Sequence, residues 1–501
     1  MTKNIRNITT LFFSILMVLF VAITVLSLAL TKTSIPILKD SPLKLYTFIL
    51  LLFLGAIVLL FLTKYFLKDG SFISKHKVKL IVSAVLLTAI TRLIWINIVK
   101  VVPMSDFHTY HRLATRLANG TLEGNTYISL FPHVIGYPSF LSIFYKLFGA
   151  EVIIAQLLNI ALSCGIVLLL YFIGKAILNE RCGLIASLLW AIWPSQIFYN
   201  SLVATEHLFT FLMLLCIFLF FHIFNYNKID YKPAIYFALL GILCGIANSI
   251  RPLGLLLIIS ISIFYFVFNN HKGLLKYSAI RLIVFIALPI FFLLTSHIIN
   301  TSIIRILNQD IAKSSGGFSF FVGSNINHGG IWNKEDSDVL VQLMKEKEPN
   351  YQEIHDELFK RGLTRYKSQS FKNVQLLKNK HYNMWCEDSD IIKYISSGLD
   401  KENASRIDIV RNSKRLILLC NYYYYVVLIL FGISAFIVIR KKQHYKIVFL
   451  YIIISGMIAF HMLVEVASRY HYPAISIFSL AASYSLINSN LLLKKIPLFN
   501  R

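Results

Sequence analysis

Apolar residues gather into runs of roughly 20 positions that recur from one end of the chain to the other, each long enough to cross a ~30 Å hydrocarbon core as a helix. About twelve can be drawn, near 8–30, 45–67, 80–101, 151–173, 182–199, 206–226, 233–250, 252–269, 279–300, 415–439, 447–464 and 473–492. Only Arg251-Pro252 parts the seventh from the eighth, so that boundary is soft. The first run is too long for the apolar stretch of a signal peptide and lacks a small-residue cleavage site, which predicts a retained span. Two stretches break the pattern. Residues 104–149 are polar and amphipathic, with helices predicted over 107–119 and 139–148, and 301–414 is the one sizeable hydrophilic region. The expected architecture is an all-α polytopic membrane protein of about twelve spans with juxtamembrane helices and a small loop domain.

Composition agrees: 57% of residues are hydrophobic and only 15% charged, which excludes an ordinary soluble domain. The lysines and arginines fix an orientation. With the N-terminus inside, the short cytoplasmic segments carry Lys3 and Arg6, Lys64 to Lys79, Lys175 and Arg181, Lys228 and Lys232, Lys272 and Lys276, Arg440 to Lys446, and Lys494 and Lys495. That alternation is the positive-inside pattern and predicts a plasma-membrane protein with both termini cytoplasmic. The net charge of +25 is then a topology signal and an attraction to anionic membrane lipids. Because the charges are spread over many short loops rather than one face, no nucleic-acid partner is expected. Richness in Ile, Leu, Lys, Asn and Phe points to an AT-rich bacterial genome.

The two polar stretches, 104–149 and 301–414, therefore fall outside. The chain divides into two N-terminal helices (1–79), a membrane core (80–300) with a first outer loop (102–150), an outer loop domain (301–414) and C-terminal helices (415–501). Within the loop domain, helices are predicted over 337–347, 351–367 and 371–385 after a Gly/Ser/Asn-rich opening. Cys386 is its lone cysteine, and no C-x-x-C or H-E-x-x-H pattern exists, so neither a disulfide framework nor a structural zinc site is expected.

Candidate chemistry collects at the outer face. Asp106 follows a long apolar run, where a bare carboxylate is costly without a partner or a job. Ser105 and Asp106 could simply cap the helix after them, but His108, His111, Arg112 and Arg116 follow on the same helix. Pro132, Gly136 and Pro138 force a turn before an apolar helix suited to lying in the interface. Glu206 and His207 open the sixth run, Arg251 ends the seventh, and Glu465, Arg469 and His471 occupy the last outer turn. Glu465 and Arg469, four apart, could pair on a helix, and Arg92 lies deeper in its run as a snorkelling or packing residue. Arginine's planar donor fork suits a phosphate. A carboxylate beside arginines at the outer leaflet points to chemistry on a phosphorylated lipid.

In order and sidedness the motifs SDFHTYHRLATRLANG, FPHVIGYPSFLSIFYKLFG, ATEHLFTFL, NSIRPLG, GSNINHGGIWNKED and EVASRYHYP resemble the GT-C superfamily of membrane glycosyltransferases, in its bacterial dolichyl-phosphate-mannose-protein mannosyltransferase-like (glycosyltransferase family 39-like) branch. The resemblance runs from about Leu80 to the C-terminus. It implies an inverting transferase that moves a sugar from a polyprenyl-phosphate donor to a hydroxyl on a lipid, cell-wall polymer or protein. Asp106 would be the catalytic base, and His108, Arg112, Glu206, Arg251, Arg469 and Tyr470 would bind substrate. Two departures stand out: two extra spans precede the matching part, and no second acid neighbours Asp106. One carboxylate with histidines is a poor magnesium cage, so metal-independent transfer without a cofactor is expected. The rivals are a polysaccharide ligase or polymerase, a lipid-linked glycan transporter or flippase, and a non-catalytic scaffold. A two-half carrier would show internal repeats; none is visible, and the inner loop at 227–232 is short.

Overall fold

The computed structural model describes residues 2–30, 35, 42–66, 70–224, 232–268, 275–400, 408–441 and 445–488. Among them there is no strand, only an isolated bridge between Val101 and Leu399. All twelve apolar runs form helices. The first three are Thr2–Leu30 (α1), Pro42–Phe66 (α2) and Gly70–Ile98 (α3). The first polar stretch follows as Ser105–Ala118 (α4), Thr126–Leu130 (α5) and Gly136–Phe148 (α6). Next come Val152–Ile177 (α7), Glu180–Ala191 (α8), Pro194–Phe198 (α9), Thr205–Phe224 (α10), Lys232–Asn248 (α11), Gly254–Phe268 (α12) and Leu275–Leu307 (α13). The second polar stretch holds Gly316–Gly323 (α14), Lys334–Lys347 (α15), Tyr351–Gln369 (α16), Lys372–Trp385 (α17) and Asp390–Ser397 (α18). Ile409–Lys441 (α19), Val448–Leu463 (α20) and Tyr472–Asn488 (α21) complete the order.

Eight of these helices are long and apolar enough to cross a membrane, or nine if the pair bent by 60° at Ala191–Pro194 is one span. The remainder of the expected twelve are shorter: α11, α12 and α21, each 15 to 17 residues. The chain is thus an all-helical multi-pass membrane protein. The bend has a local cause, since a helix cannot run through Pro194 without losing a hydrogen bond. The Ala191 carbonyl, at the end of α8, accepts from Arg92 Nη1 at 2.9 Å.

α21 sits at the centre, with nearly every side chain buried. Its serines return their hydroxyls to carbonyls of their own helix, as Ser476 does to Pro473 (2.7 Å) and Ser483 to Leu480 (2.7 Å), so polar residues can line an apolar bundle. α1 packs on α19 and α20, and α2 on α19. The two N-terminal helices therefore flank the last spans rather than stand apart.

The loop domain has its own core, in which Leu340, Leu343, Ile354 and Leu358 meet Phe318, Phe321 and Val322. Leu130 of the first polar stretch enters the same core, which couples the two polar segments. A second coupling concerns Gly136. Its N–H donates to Ser249 O at 3.1 Å, and a Cβ there would stand 2.2 Å from that oxygen. The contact clamps α6 onto the turn that carries Arg251. Gly136→Val is therefore expected to cost about 1–3 kcal/mol through overpacking, seen as a lower unfolding temperature of the detergent-solubilised protein. An unchanged temperature would mean that the turn shifts freely.

Candidate functional site

Four elements meet at one end of the bundle: the first turn of α4, the first turn of α10, the turn between α11 and α12, and the segment between α20 and α21. They bring Asp106, Glu206, Arg251, Glu465, Arg469 and Tyr470 together. The Arg469 guanidinium forms an ion pair with Asp106, and Arg251 forms one with the fully buried Glu206. Arg251 Nε also donates to Thr205 Oγ1 at 3.3 Å. Both guanidinium groups lie against Tyr470, with Arg251 5.6 Å and Arg469 5.7 Å from its ring centroid. Phe107 and Tyr394 flank Arg469 at 5.7 and 5.9 Å.

Asp106 does not cap its helix. Met104 is the N-cap and no side chain takes the cap hydrogen bond. Ser105 is at φ +51°, in the left-handed region rather than the extended backbone an N-cap needs. The carboxylate is free to reach Arg469. The expected helix over Glu465 and Arg469 is absent too: Ser468–His471 is a 3₁₀ turn after extended backbone at Ala467. Arg469 consequently points to Asp106, while Glu465 Oε1 accepts from the Tyr470 hydroxyl at 3.1 Å. Of the three acids, only Glu465 is without an arginine at ion-pair distance among the described residues.

The electrostatics follow from that arrangement. Burial pushes Glu465 up to about 7, with Asp106 adding to the rise and Arg469 and the Tyr470 hydrogen bond opposing it. Burial works against the charge on Arg469, but Asp106 and the nearby Tyr470, Tyr394 and Tyr110 hydroxyls outweigh it and hold its pKa well above the usual value. Tyr127 and Tyr394 are each raised to about 12, chiefly by burial, and remain neutral donors at the rim.

The segment carrying Glu465 and Arg469 is held from outside by the loop domain. Glu465 N–H donates to Ser319 O at 2.7 Å and Val466 N–H to Gly330 O at 2.9 Å. A Cβ on Gly323 would lie 2.4 Å from the Val464 backbone, so α14 touches the segment directly. Behind that contact the GSNINHGGIWNKED loop is stapled to buried Asp336, which accepts from Asn325 (3.0 Å), Asn333 (2.8 Å) and Arg365 (2.7 Å). From inside, His471 bonds Met384 O through Nδ1 and Asp388 Oδ1 through Nε2, the latter at 3.2 Å. The Met384 carbonyl can only accept, so Nδ1 donates to it, and a second proton on Nε2 would give the ring a positive charge. Burial opposes that charge, but the bond to Asp388 and its negative charge raise the His471 pKa overall. Asp388 also accepts from Trp193 Nε1 and Ser195 Oγ at 2.7 Å each, tying the break between α8 and α9 to the site.

Not every expected residue arrives. His108 and Arg112 are exposed on α4. At ~100° per residue they lie ~160–120° round the helix from Asp106, so they face away from the side that carries it. Arg116 turns back to the Thr121 carbonyl (2.9 Å through Nε), and His111 bonds the Tyr145 hydroxyl at 2.8 Å. Glu206, Arg251, Arg469 and Tyr470 are brought to Asp106. Asp388, Tyr110, Tyr127 and Tyr394 lie at or beside the site without any signal in sequence spacing. Among the described residues, no group of three or more His, Cys, Asp or Glu side chains is placed to hold a metal ion.

Residues 132–296 match the profile of the dolichyl-phosphate-mannose-protein mannosyltransferase family, the family the sequence motifs resemble. No curated protein matches the chain in sequence. Among solved structures, the chain is similar to the Archaeoglobus fulgidus oligosaccharyltransferase tethered to an acceptor peptide, with 12% identity and a TM-score of 0.47, over 86% of this chain and 52% of that one. The same enzyme with an inhibitory peptide and a dolichol-phosphate gives 12% identity and a TM-score of 0.45, over 85% and 51%. ArnT from Cupriavidus metallidurans bound to undecaprenyl phosphate gives 9% identity and a TM-score of 0.37, over 84% and 80%. The chain spans about half the length of the oligosaccharyltransferase.

Proposed function

We propose that this membrane protein transfers a sugar from a polyprenyl-phosphate donor to an acceptor hydroxyl at the outer face of the plasma membrane. The observation that carries the reading is the pair of arginines, Arg251 and Arg469, both against the Tyr470 ring, with Arg469 paired to Asp106. The family match over residues 132–296 supports the reaction class. The donor phosphate lies between the two guanidinium groups and shares Arg469 with Asp106. The acceptor oxygen attacks the anomeric carbon from the face opposite the phosphate, the glycosidic C–O bond to the phosphate breaks, and the anomeric centre inverts. Asp106 takes the hydroxyl proton as the bond forms. The arginines receive the charge that grows on the leaving phosphate, in a site whose donors are already oriented.

Membrane vesicles given a labelled polyprenyl-phosphate sugar test the reading. Label is expected to leave the lipid and join another molecule. Label that crosses the bilayer on its original lipid would identify a flippase instead and overturn the proposal. For orientation, a reporter active only outside the cytoplasm should work after Gly120 or Asn350 and stay silent after Lys68 or Lys442. The reverse pattern would put the site inside.

Glu465 supplies a pH signature. The groups acting on it are Asp106 on α4, Arg469 and Tyr470 on its own segment, and Lys380 on α17. Below about pH 7 it is neutral, and above that it adds a negative charge beside the donor phosphate. Donor KM is therefore expected to rise as pH increases through 7, and Glu465→Gln should flatten that rise. An identical KM profile in the variant would show that Glu465 does not face the phosphate.

A further inference from the structure

Arg92 on α3 is wholly buried, yet its hydrogen bonds all leave from one nitrogen. Nη1 donates to Ala191 O (2.9 Å), Thr88 O (3.3 Å) and Thr91 Oγ1 (3.4 Å), while Nε and Nη2 have no partner among the described residues. Among the described residues no carboxylate pairs with it. Around it stand three other buried side chains with unpartnered polar atoms. The guanidinium lies 4.8 Å from the Trp190 ring, whose Nε1 is unpartnered. His207 and Tyr472 are within its electrostatic reach, their rings are 5.4 Å apart, and both His207 nitrogens and the Tyr472 hydroxyl lack partners. His207 follows Glu206 and Tyr472 follows His471, so the cluster is one residue removed from the candidate site on two helices.

A buried, unpaired guanidinium in a membrane bundle costs several kcal/mol unless something neutralises it. The hydrogen-bonding balance says what could. Arg92 Nε and Nη2, Trp190, Tyr472 and one His207 nitrogen together offer about six hydrogens, against acceptor capacity only on Tyr472 and the other His207 nitrogen. The two carboxylates that act on Tyr472 are already engaged: Glu206 by Arg251, and Asp388 by His471, Trp193 and Ser195. The cluster lacks acceptors and lacks a negative charge. Water would meet the first need and leave the second.

We propose that Arg92, Trp190, His207 and Tyr472 form a small-anion site within the membrane bundle, and that it takes a halide such as chloride. The unpartnered polar atoms of all four side chains are closed off from the surface, which suits a compact ion and not a phosphate carrying a lipid chain. The ion neutralises Arg92, gathers α3, α8, α10 and α21, and so braces the helices that present Glu206 and the segment ending at His471. This inference does not depend on which reaction the outer site performs.

Thermal unfolding of the purified full-length protein in detergent, in sodium chloride or bromide against sodium gluconate at matched ionic strength, provides the test. An ion that binds the folded state is expected to raise the unfolding temperature saturably, by about 3 °C. Bromide should give an anomalous peak among the four side chains in derivatised crystals. Arg92→Met should abolish the halide response. Should that variant not accumulate, Tyr472→Phe removes one donor and should raise the half-saturating halide concentration roughly tenfold. Equal unfolding temperatures in halide and gluconate would overturn the site, as would a wild-type bromide map with only a water at Arg92.

Discussion

Asp106→Asn should lower sugar transfer by about 10²–10⁴-fold, the usual contribution of a general base, while the protein continues to fold. Asparagine keeps the size of the side chain and one oxygen that can accept from Arg469, but it cannot take a proton from the acceptor hydroxyl. The half-exposed position of Asp106 limits the stability lost with its ion pair. The measurement is transfer of label from a polyprenyl-phosphate sugar in vesicles carrying equal amounts of each protein. Near wild-type transfer by Asp106→Asn would remove the carboxylate from the chemistry. Glu465 would then be the carboxylate to test, because Glu206 is sealed against Arg251.

Arg251→Ala should be the most destabilising single change at the site. Glu206 is only 1% exposed, and without Arg251 its charge has no cationic partner. Breaking a buried pair from one side costs about 3–5 kcal/mol, visible as a large fall in unfolding temperature or in the yield of folded protein. That loss would by itself obscure a role in binding phosphate, so a second variant is needed. Glu206→Gln with Arg251→Met removes both charges, and most of the stability should return. Transfer should not return, because the guanidinium proposed to receive the leaving phosphate is gone. Recovery of both stability and transfer would make the pair purely structural. Arg251→Lys keeps the charge but loses the planar fork, and it should retain more folded protein than activity.

The membrane-spanning segments were legible in the sequence because lipid imposes a local rule: about 20 consecutive apolar residues that satisfy their own backbone. All twelve apolar runs are helices, and the three helices expected in the loop domain appear within a few residues of their expected ends. Their caps are local as well, with Asn333 accepting from Asp336 N–H and Asn350 from Glu353 N–H. What length alone could not settle was which of the shorter helices count as spans, since α11, α12 and α21 fall below the length of a full crossing. The bend at Pro194 was likewise hidden within one continuous apolar run.

The candidate site was half legible. Asp106, Arg251 and Arg469 stood out because a charge beside an apolar run is costly wherever the chain goes, and that cost can be read locally. Their partners could not be read. Spacing of four suggested that Glu465 pairs with Arg469, but that rule holds only inside a helix, and the backbone there is extended and then 3₁₀. His108 and Arg112 looked close to Asp106 because they are close in sequence, whereas 3.6 residues per turn sends them to another face of α4. Sequence alone therefore determined the membrane class, the helices and the strongest of the charged candidates, since each follows from a residue's own solvation or its immediate neighbours. Tertiary structure alone decided that Asp106 meets an arginine 363 positions away, that Glu206 takes Arg251, and that Asp388 locks His471, because those pairings depend on how buried helices pack and not on spacing along the chain.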